Sequence, residues 1–185
     1  DVFGSYYQID LETGRIVQQK RSDTEFVYLI DRDPLRVYEA TPGLLRAVGR
    51  DSWQTEVAGF HFQPLVSGNV ILLQYQPFNA DYDVLMAVNR RTGAILWQRE
   101  DPLLGNTAVY DDTAFTLVSR EGAAQLLALD TTSGEMVGSV LFTGSTAESE
   151  YPSFVAATDD AVGVYFGDGR QLFVFNWLPP EEGQP

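Results

Sequence analysis

Few side chains in this sequence could carry acid–base, nucleophilic or metal chemistry, and most of those are carboxylates. The single histidine is His61, between Phe60 and Phe62, and there is no cysteine. The absence of cysteine excludes thiol catalysis, disulfides and cysteine-ligated metals. A lone histidine flanked by aromatic residues is typical of a half-buried strand position, because a metal site needs several convergent ligands. We therefore expect no metal centre.

The carboxylates form short clusters that favour turns over catalysis. These clusters are Asp31/Asp33, Asp81/Asp83, Asp111-Asp112 and Asp159-Asp160. Aspartate is common in turns because its side chain accepts hydrogen bonds from nearby backbone N–H groups. A calcium loop in 81–83 is an alternative, although further oxygen ligands at regular offsets are missing. The sequence also lacks the glycine-rich phosphate-binding motifs and the G-x-S-x-G serine-nucleophile motif. We expect no catalytic residues and no cofactor, hence a protein that is not an enzyme.

Charge and composition exclude further classes of protein. The 185 residues include 12 Lys and Arg against 26 Asp and Glu, which leaves a net charge of −14. Such a surface repels phosphate backbones and anionic lipids, so we expect neither nucleic acid nor direct membrane insertion. With 44% hydrophobic and 12% aromatic residues the chain is too apolar to be a charge-driven disordered segment. The length suits one domain with a sizeable core.

The elements that position these residues follow a repeat of about forty residues. Five short apolar segments end at positions 10, 49, 89, 130 and 176, with spacings of 39, 40, 41 and 46. Two further strand patterns, joined by turn-forming residues, precede each of the last three segments, and no sustained helical period is present. Four short strands per repeat predict an all-β fold, and in particular a β-propeller with about four blades' worth of repeats.

Three of the five segments continue with the pattern D/N-x-x-T/S-G, which predicts a tight hairpin. The copies run from Asp10 to Gly14, from Asn89 to Gly93 and from Asp130 to Gly134. The Asp or Asn side chain accepts backbone N–H bonds, and glycine adopts the positive φ that closes the turn. Trp53 and Trp97 follow the hairpin position, where we expect each ring to pack against the neighbouring blade. Stacking on a ligand is the alternative for these two rings.

The combined pattern, apolar-x-A-apolar-D/N-x-x-T/S-G-x-apolar-x-W, resembles the repeat of the pyrroloquinoline-quinone-type (PQQ-like) β-propellers. The copy at 86–97 is the closest, 127–137 is a second copy, and 7–17 is a third without the tryptophan. The resemblance covers residues 5–178. Similar repeats build quinoprotein dehydrogenases, the propeller lipoprotein of the bacterial outer-membrane assembly machinery, and extracytoplasmic sensor domains of bacterial kinases.

The resemblance implies a fold more specifically than a function. Enzymes of the family use a calcium-bound quinone, an aspartate base and often a vicinal cysteine pair, and no aspartate here matches their catalytic motif. The sequence is therefore more similar to the assembly lipoprotein and the sensor propellers. This implies a non-enzymatic scaffold in the cell envelope, periplasmic or on the cell surface, which binds a protein or a small ligand and is tethered by a segment outside this sequence. The alternatives are a fragment of a quinoprotein or other propeller enzyme, and a sensor domain.

The phase of the repeat predicts an incomplete ring. The chain begins at the third strand of one blade and ends after the third strand of another, so only about three complete sets of four strands are present. Merging the two ends into a single blade would give five strands. We expect either a piece of a longer propeller or self-association through open blade edges.

The remaining candidates for contact lie towards the C-terminus. The segment 143–151 is the longest polar insert and is predicted to be a surface loop, with Ser149 and Tyr151 as possible contact residues. Trp177 follows the last apolar segment and is expected either to cap a strand edge or to touch a partner. We assign residues 1–178 to one propeller domain and 179–185 to a flexible tail rich in Pro and Glu.

Overall fold

The computed structural model describes residues 5–9, 16–21, 27–32, 35–41, 43–48, 51–61, 64–146, 153–167 and 170–177. Every helix or strand in these ranges is a β-strand, so the predicted all-β class is confirmed. No helix in this part of the chain is long and apolar enough to cross a membrane.

The strands form five antiparallel sheets that follow one another along the chain. An N-terminal hairpin consists of β1 (Ser5–Ile9) and β2 (Ile16–Arg21). Blade 1 contains β3 (Val27–Arg32), β4 (Leu35–Thr41), β5 (Gly43–Val48) and β6 (Trp53–Val57). Blade 2 contains β7 (Gly59–His61), β8 (Leu65–Ser67), β9 (Val70–Pro77), β10 (Val84–Asn89) and β11 (Ile95–Arg99). Blade 3 contains β12 (Ala108–Tyr110), β13 (Thr113–Arg120), β14 (Ala123–Asp130) and β15 (Met136–Thr146), and the end sheet contains β16 (Phe154–Ala157), β17 (Ala161–Phe166) and β18 (Gln171–Asn176).

The strand phase agrees with the repeat. Blades 1 and 3 have four strands in sequential order, and blade 2 has the same order with its first strand divided in two. The N-terminal hairpin supplies strands of the third and fourth positions, and the end sheet supplies strands of the first three. Within the described residues, three blades with four strand positions each lie between a two-stranded and a three-stranded sheet, an arrangement that agrees with the predicted partial propeller.

The first strand of blade 2 is divided into two short strands. Both β7 and β8 pair with β9, and the chain between them contains the buried residue Pro64. Proline has no N–H group to donate to a strand ladder, which explains why the pairing resumes only at Leu65. His61 is the last residue of β7, so its predicted strand position is confirmed.

The core consists of layers between successive sheets, because each middle strand is apolar on both faces. In β9, Ile71 and Leu73 face the core shared with blade 1, whereas Val70 and Leu72 face the core shared with blade 3. Successive side chains of a strand alternate between faces, so a strand covered on both sides must be apolar almost throughout. The uninterrupted apolar runs of the repeat are the consequence.

The end sheet packs on blade 3 through aromatic edges. Phe142 of β15 makes tilted or perpendicular ring contacts with Phe166, Phe173 and Phe175, at centroid distances of 5.0, 5.2 and 5.7 Å. Edge-to-face contacts of this kind add stabilisation beyond the apolar area they bury. One face of the end sheet therefore packs against blade 3.

One predicted loop is partly a strand. Residues 143–146 extend β15, and Thr146 pairs with Ala123 beyond a bulge, so the surface loop that we expected over 143–151 is wrong for its first four residues. The polar composition misled the prediction because a blade's outermost strand can be polar on its solvent side. Residues 147–152, which include Ser149 and Tyr151, lie outside the described residues, as does the predicted tail at 179–185.

Candidate functional site

The repeat hairpins are built as their sequence indicates. The Oδ1 atom of Asn89 accepts hydrogen bonds from the backbone N–H groups of Arg91 and Thr92 at 3.0 and 3.1 Å. The Oδ1 atom of Asp130 accepts the equivalent bonds from Thr132 and Ser133 at 3.0 and 2.7 Å. The side chain thus pairs two N–H groups that the turn would otherwise leave without partners.

The hairpin glycines are required for two reasons. Gly93 and Gly134 have φ angles of 75° and 73°, a backbone conformation that side chains disfavour. In addition, a Cβ atom at Gly93 would lie 2.5 Å from the Trp53 ring, and one at Gly134 would lie 2.7 Å from the Trp97 ring. Each tryptophan of one blade therefore rests directly on the hairpin glycine of the next blade.

The indole N–H group of each tryptophan is also bound by the next blade. Trp53 Nε1 donates to the Arg90 carbonyl oxygen at 3.0 Å, and Trp97 Nε1 donates to the Thr131 carbonyl oxygen at 2.9 Å. Arg90 and Thr131 are also bound within their own blades. The backbone N–H group of Arg90 donates to the Asn69 carbonyl, and that of Thr131 donates to the Asp112 carbonyl. A single residue after the Asn or Asp thus joins two blades. We call the ring stacking and this hydrogen bond together the tryptophan–glycine contact.

A second side chain strengthens the contact at a position the sequence pattern did not reveal. Thr55 Oγ1 donates to the Gly93 carbonyl oxygen at 2.5 Å, and Arg99 Nη1 donates to that of Gly134 at 3.3 Å. Both donors lie two residues after the tryptophan. Because threonine and arginine share little but a hydrogen-bond donor, only their common offset from tryptophan could have signalled this role.

Blade 3 has no tryptophan at this position, and Trp177 fills the space from the other side. Trp53 and Trp97 pair with Ala47 and Ala87 in the strand register, whereas Ala128 pairs with Gly138. A Cβ atom at Gly138 would lie 3.3 Å from the Trp177 ring.

Trp177 occupies the chain position that corresponds to Arg90 and Thr131. Its N–H group donates to the Asp160 carbonyl oxygen at 3.0 Å, the bond equivalent to those of the other two residues. The half-buried ring stands perpendicular to Phe115 with centroids 5.0 Å apart. At this interface the indole ring therefore comes from the end of the third strand of the following sheet, whereas Trp53 and Trp97 come from the outer strand of the preceding blade.

The predicted site residues fall into two groups in the structure. Trp53, Asn89, Gly93, Trp97, Asp130 and Gly134 lie at blade interfaces, and Trp177 lies half-buried against its own chain. Asp10 and Gly14 lie outside the described residues. Within the described residues, no group of three or more His, Cys, Asp or Glu side chains could hold a metal ion.

A cavity of about 460 Å³ shares none of its lining residues with the tryptophan–glycine contacts. Its walls come from β8, β9 and β10 of blade 2, from the segment that joins β11 to β12, and from the start of β16. Gly105 of the joining segment forms a parallel bridge with Ser153, and a Cβ atom at Gly105 would lie within 2.1 Å of the Ser153 carbonyl oxygen. This glycine permits the close approach that closes one side of the cavity.

A hydrogen-bonded network forms the polar side of the cavity. Gln74 is only 8% exposed, and its Nε2 atom donates to Asp83 Oδ2 at 3.1 Å and to the Gly105 carbonyl oxygen at 3.0 Å. The Oε1 atom of Gln74 accepts a hydrogen bond from Thr107 Oγ1 at 3.4 Å. Asp83 lies directly before β10, in the connection that follows β9, and the sequence pattern did not reveal its buried partner Gln74.

Next to Gln74 in β9, Tyr75 faces the opposite side of the sheet. Burial raises the pKa of Tyr75, and the negative charge of Glu100 raises it further. A raised pKa keeps the phenol protonated at neutral pH, so this group is a poor candidate for a general base.

No model of a protein family matches the chain, and no curated protein matches it. Among solved structures, BamB from Moraxella catarrhalis superposes with a TM-score of 0.55 and 18% identity, over 87% of this chain and 56% of that protein. The chain has a β-propeller fold similar to that of BamB. The predicted resemblance to the PQQ-like propellers is thereby confirmed at the level of the fold, and the chain spans about half the length of BamB.

Two other solved structures match at lower scores. A europium-containing methanol dehydrogenase has a TM-score of 0.43 and 17% identity, over 60% of this chain and 23% of the enzyme. Glutaminyl cyclase from Myxococcus xanthus has a TM-score of 0.42 and 15% identity, over 94% of this chain and 81% of the enzyme.

The tryptophan–glycine contact predicts a difference between two glycines of similar conformation. Gly134→Ala should destabilise more than Gly122→Ala, because Gly122 has a φ of 78° but no atom within 4 Å of its would-be Cβ. We expect about 1 kcal/mol for the backbone strain at either site and about 2 kcal/mol more at Gly134 for displacing Trp97. Urea unfolding of both variants measures the difference, and equal costs would contradict the role of the contact.

The relocated tryptophan predicts a favourable coupling between two substitutions. Trp177→Thr should cost about 3 kcal/mol, and Gly138→Trp alone should also destabilise because the new ring collides with Trp177. The double variant restores the arrangement of blades 1 and 2, so it should be more stable than the sum of the single costs by at least about 1 kcal/mol. A double-mutant cycle on unfolding free energies checks this, and additive costs would show that the two positions do not share one space.

Proposed function

We propose that this chain is a non-enzymatic, protein-binding β-propeller module that works outside the cytoplasm and binds its partner by strand addition to the end sheet. The similarity to the fold of BamB and the PQQ-like repeat support a binding module of this type. The observation that carries the proposal is the outer face of the end sheet. Phe154, Leu172 and Val174 are exposed there by 53%, 65% and 64%.

Strand β18 is the third strand of its sheet, but no fourth strand among the described residues pairs with its outer edge. The equivalent strands β10 and β14 each pair with a fourth strand, whereas β18 pairs only with β17 among the described strands. Its sequence from Gln171 to Asn176 carries no charge. An uncharged strand edge offers N–H and C=O groups that pair readily with an added strand.

The exposed face next to this edge supplies the affinity. Phe154, Tyr165 and Leu172 are directly opposite one another across β16, β17 and β18, as are Ala156, Gly163 and Val174. These two rows form a surface of apolar and small side chains, and contiguous apolar surface of this kind marks interaction sites. A partner strand with alternating apolar residues would extend the sheet and cover part of this face.

The strand-addition site predicts association that depends on β18. We expect the purified chain to self-associate with rising concentration in analytical ultracentrifugation, since a second copy offers strand edges of its own. Leu172→Lys with Val174→Lys should abolish this association without loss of stability, because exposed substitutions usually change the unfolding free energy by less than about 0.5 kcal/mol. The matched control is Leu141→Lys, at a residue of β15 that is 55% exposed. A wild-type chain that stays monomeric at about 100 μM, or a double variant that associates equally, would contradict strand addition.

The non-enzymatic part of the proposal is tested separately. Pyrroloquinoline quinone with calcium should leave the melting temperature of the chain unchanged and should give no absorbance change. A ligand that binds only the folded state at 100 times its Kd would stabilise it by about 2.7 kcal/mol, which is easily detected. A rise in melting temperature with quinone and calcium, absent with calcium alone, would favour a quinoprotein fragment instead.

A further inference from the structure

We propose that the cavity between blade 2, the joining segment and β16 binds an organic cation on an apolar stem. The ligand class is a primary ammonium or guanidinium group on an alkyl chain, carried either by a lysine or arginine side chain of a polypeptide or by a free amine. The site shares Phe154 with the exposed face of the end sheet but includes no residue of β18, and its test measures the binding of small cations rather than strand addition.

The cavity has one charge, and that charge is negative. Asp83 is the one ionisable side chain among the described residues that line it. Within the described residues, no ion pair joins Asp83, and its recorded hydrogen bond is the one from Gln74 to Oδ2. An ionised carboxylate offers about four acceptor sites, so it retains capacity for a further donor.

The polar neighbours of Asp83 select against an anion. Both N–H bonds of the Gln74 amide are used, by Asp83 and Gly105, which also settles which end of the amide is nitrogen. The Asn106 amide is engaged with the backbone of Val155, where Nδ2 donates to the carbonyl and Oδ1 accepts from the N–H group, both at 2.9 Å. With these amide donors committed, Asp83 is the one charged group that the described lining offers to a ligand, and an acceptor with negative charge favours a cation.

The remaining walls suit an alkyl stem. Leu65, Leu72 and Leu85 line the cavity, and Phe154, half exposed, stands at the rim. Lysine and arginine pack their methylene stems on apolar surface while the charged head remains with polar groups. The aromatic face of Phe154 attracts a passing cation, and a volume of about 460 Å³ lies within the usual range for small-ligand sites.

A neutral apolar ligand would fit this cavity poorly. It would displace water from Asp83 without supplying a partner, and a desolvated, unpaired carboxylate is costly. A cation pays the same desolvation but forms a charge-assisted hydrogen bond. The net charge of −14 also raises the local concentration of cations around the chain.

Calorimetric titration of the whole chain at low ionic strength tests the proposal with defined probes. The probes are the capped tripeptide acetyl-Gly-Lys-Gly-amide, its norleucine analogue, which has the alkyl stem but no charge, and n-hexylammonium. We expect the lysine peptide or n-hexylammonium to bind at least tenfold more tightly than the norleucine peptide, and less tightly as salt rises. Tighter binding of the peptide identifies a polypeptide side chain as the source, and tighter binding of the amine identifies a free amine.

Two pairs of variants locate the binding. Asp83→Asn should weaken cation binding at least tenfold, whereas Asp159→Asn, at an exposed turn between β16 and β17, should leave it unchanged. Phe154→Arg places a repelling charge at the rim and should weaken binding at least fivefold. Its control is Val174→Arg, on the same face of the end sheet but outside the cavity lining.

Several results would overturn the proposal. These are no binding of either cation at millimolar concentration, equal binding of the norleucine peptide, or wild-type affinity in Asp83→Asn. If Asp83→Asn does not fold, as judged by its circular dichroism spectrum and melting temperature, the Phe154 and Val174 pair decides, because both residues are largely exposed. Equal affinities in Phe154→Arg and Val174→Arg would then refute the site.

Discussion

One contact holds successive blades of this protein in register: a tryptophan ring seated on a hairpin glycine, with its indole N–H bound to a carbonyl of the same hairpin. The contact makes demands on both blades at once. The hairpin must have a glycine because no Cβ fits beneath the ring, and the Asn or Asp must hold the turn so that the carbonyl of the following residue points to the preceding blade. Since an unpaired buried N–H or C=O group is costly, the blades cannot slide without losing these bonds.

At the interface between blade 3 and the end sheet, a tryptophan ring is present although it comes from a different position in the repeat. The outer strand has Gly138 where tryptophan is expected, and Trp177 arrives from the following sheet to pack on Phe115. Blade 1 has a similar ring pair, Tyr38 and Trp53, with centroids 6.0 Å apart. An indole ring therefore lies at each of the three interfaces from blade 1 to the end sheet, although Trp177 comes from the following sheet rather than from the outer strand of the preceding blade. Dense packing explains this, because a void of that size would remove many contacts.

The side chains that join the blades are different from those that are available to a ligand or a partner. The polar groups of the repeat hairpins form hydrogen bonds within and between the blades, so they have little capacity left for a ligand. These groups belong to Asn89, Asp130 and the hairpin glycines. The two proposed binding surfaces lie elsewhere, at the edge of β18 and in the cavity that contains Asp83. The β18 edge offers backbone N–H and C=O groups beside an apolar face. The cavity offers a single carboxylate surrounded by apolar walls. A partner with a basic residue near an extended apolar strand has chemistry suited to both.

The sequence alone was sufficient to predict the strand order, the hairpins and the repeat position of the first and last strands. These features depend on local signals, namely apolar runs, turn-forming residues and the forty-residue spacing. It also indicated that Trp53 and Trp97 face a neighbouring blade. It failed where polar composition suggested a loop at 143–146, which the structure assigns to β15. It could not find the roles of Thr55 and Arg99, the pairing of Gly138 with Trp177, or the burial of Gln74 beside Asp83. Each of these joins residues from different sheets or distant turns, and only the packing of one sheet on the next brings such residues within hydrogen-bond or van der Waals distance.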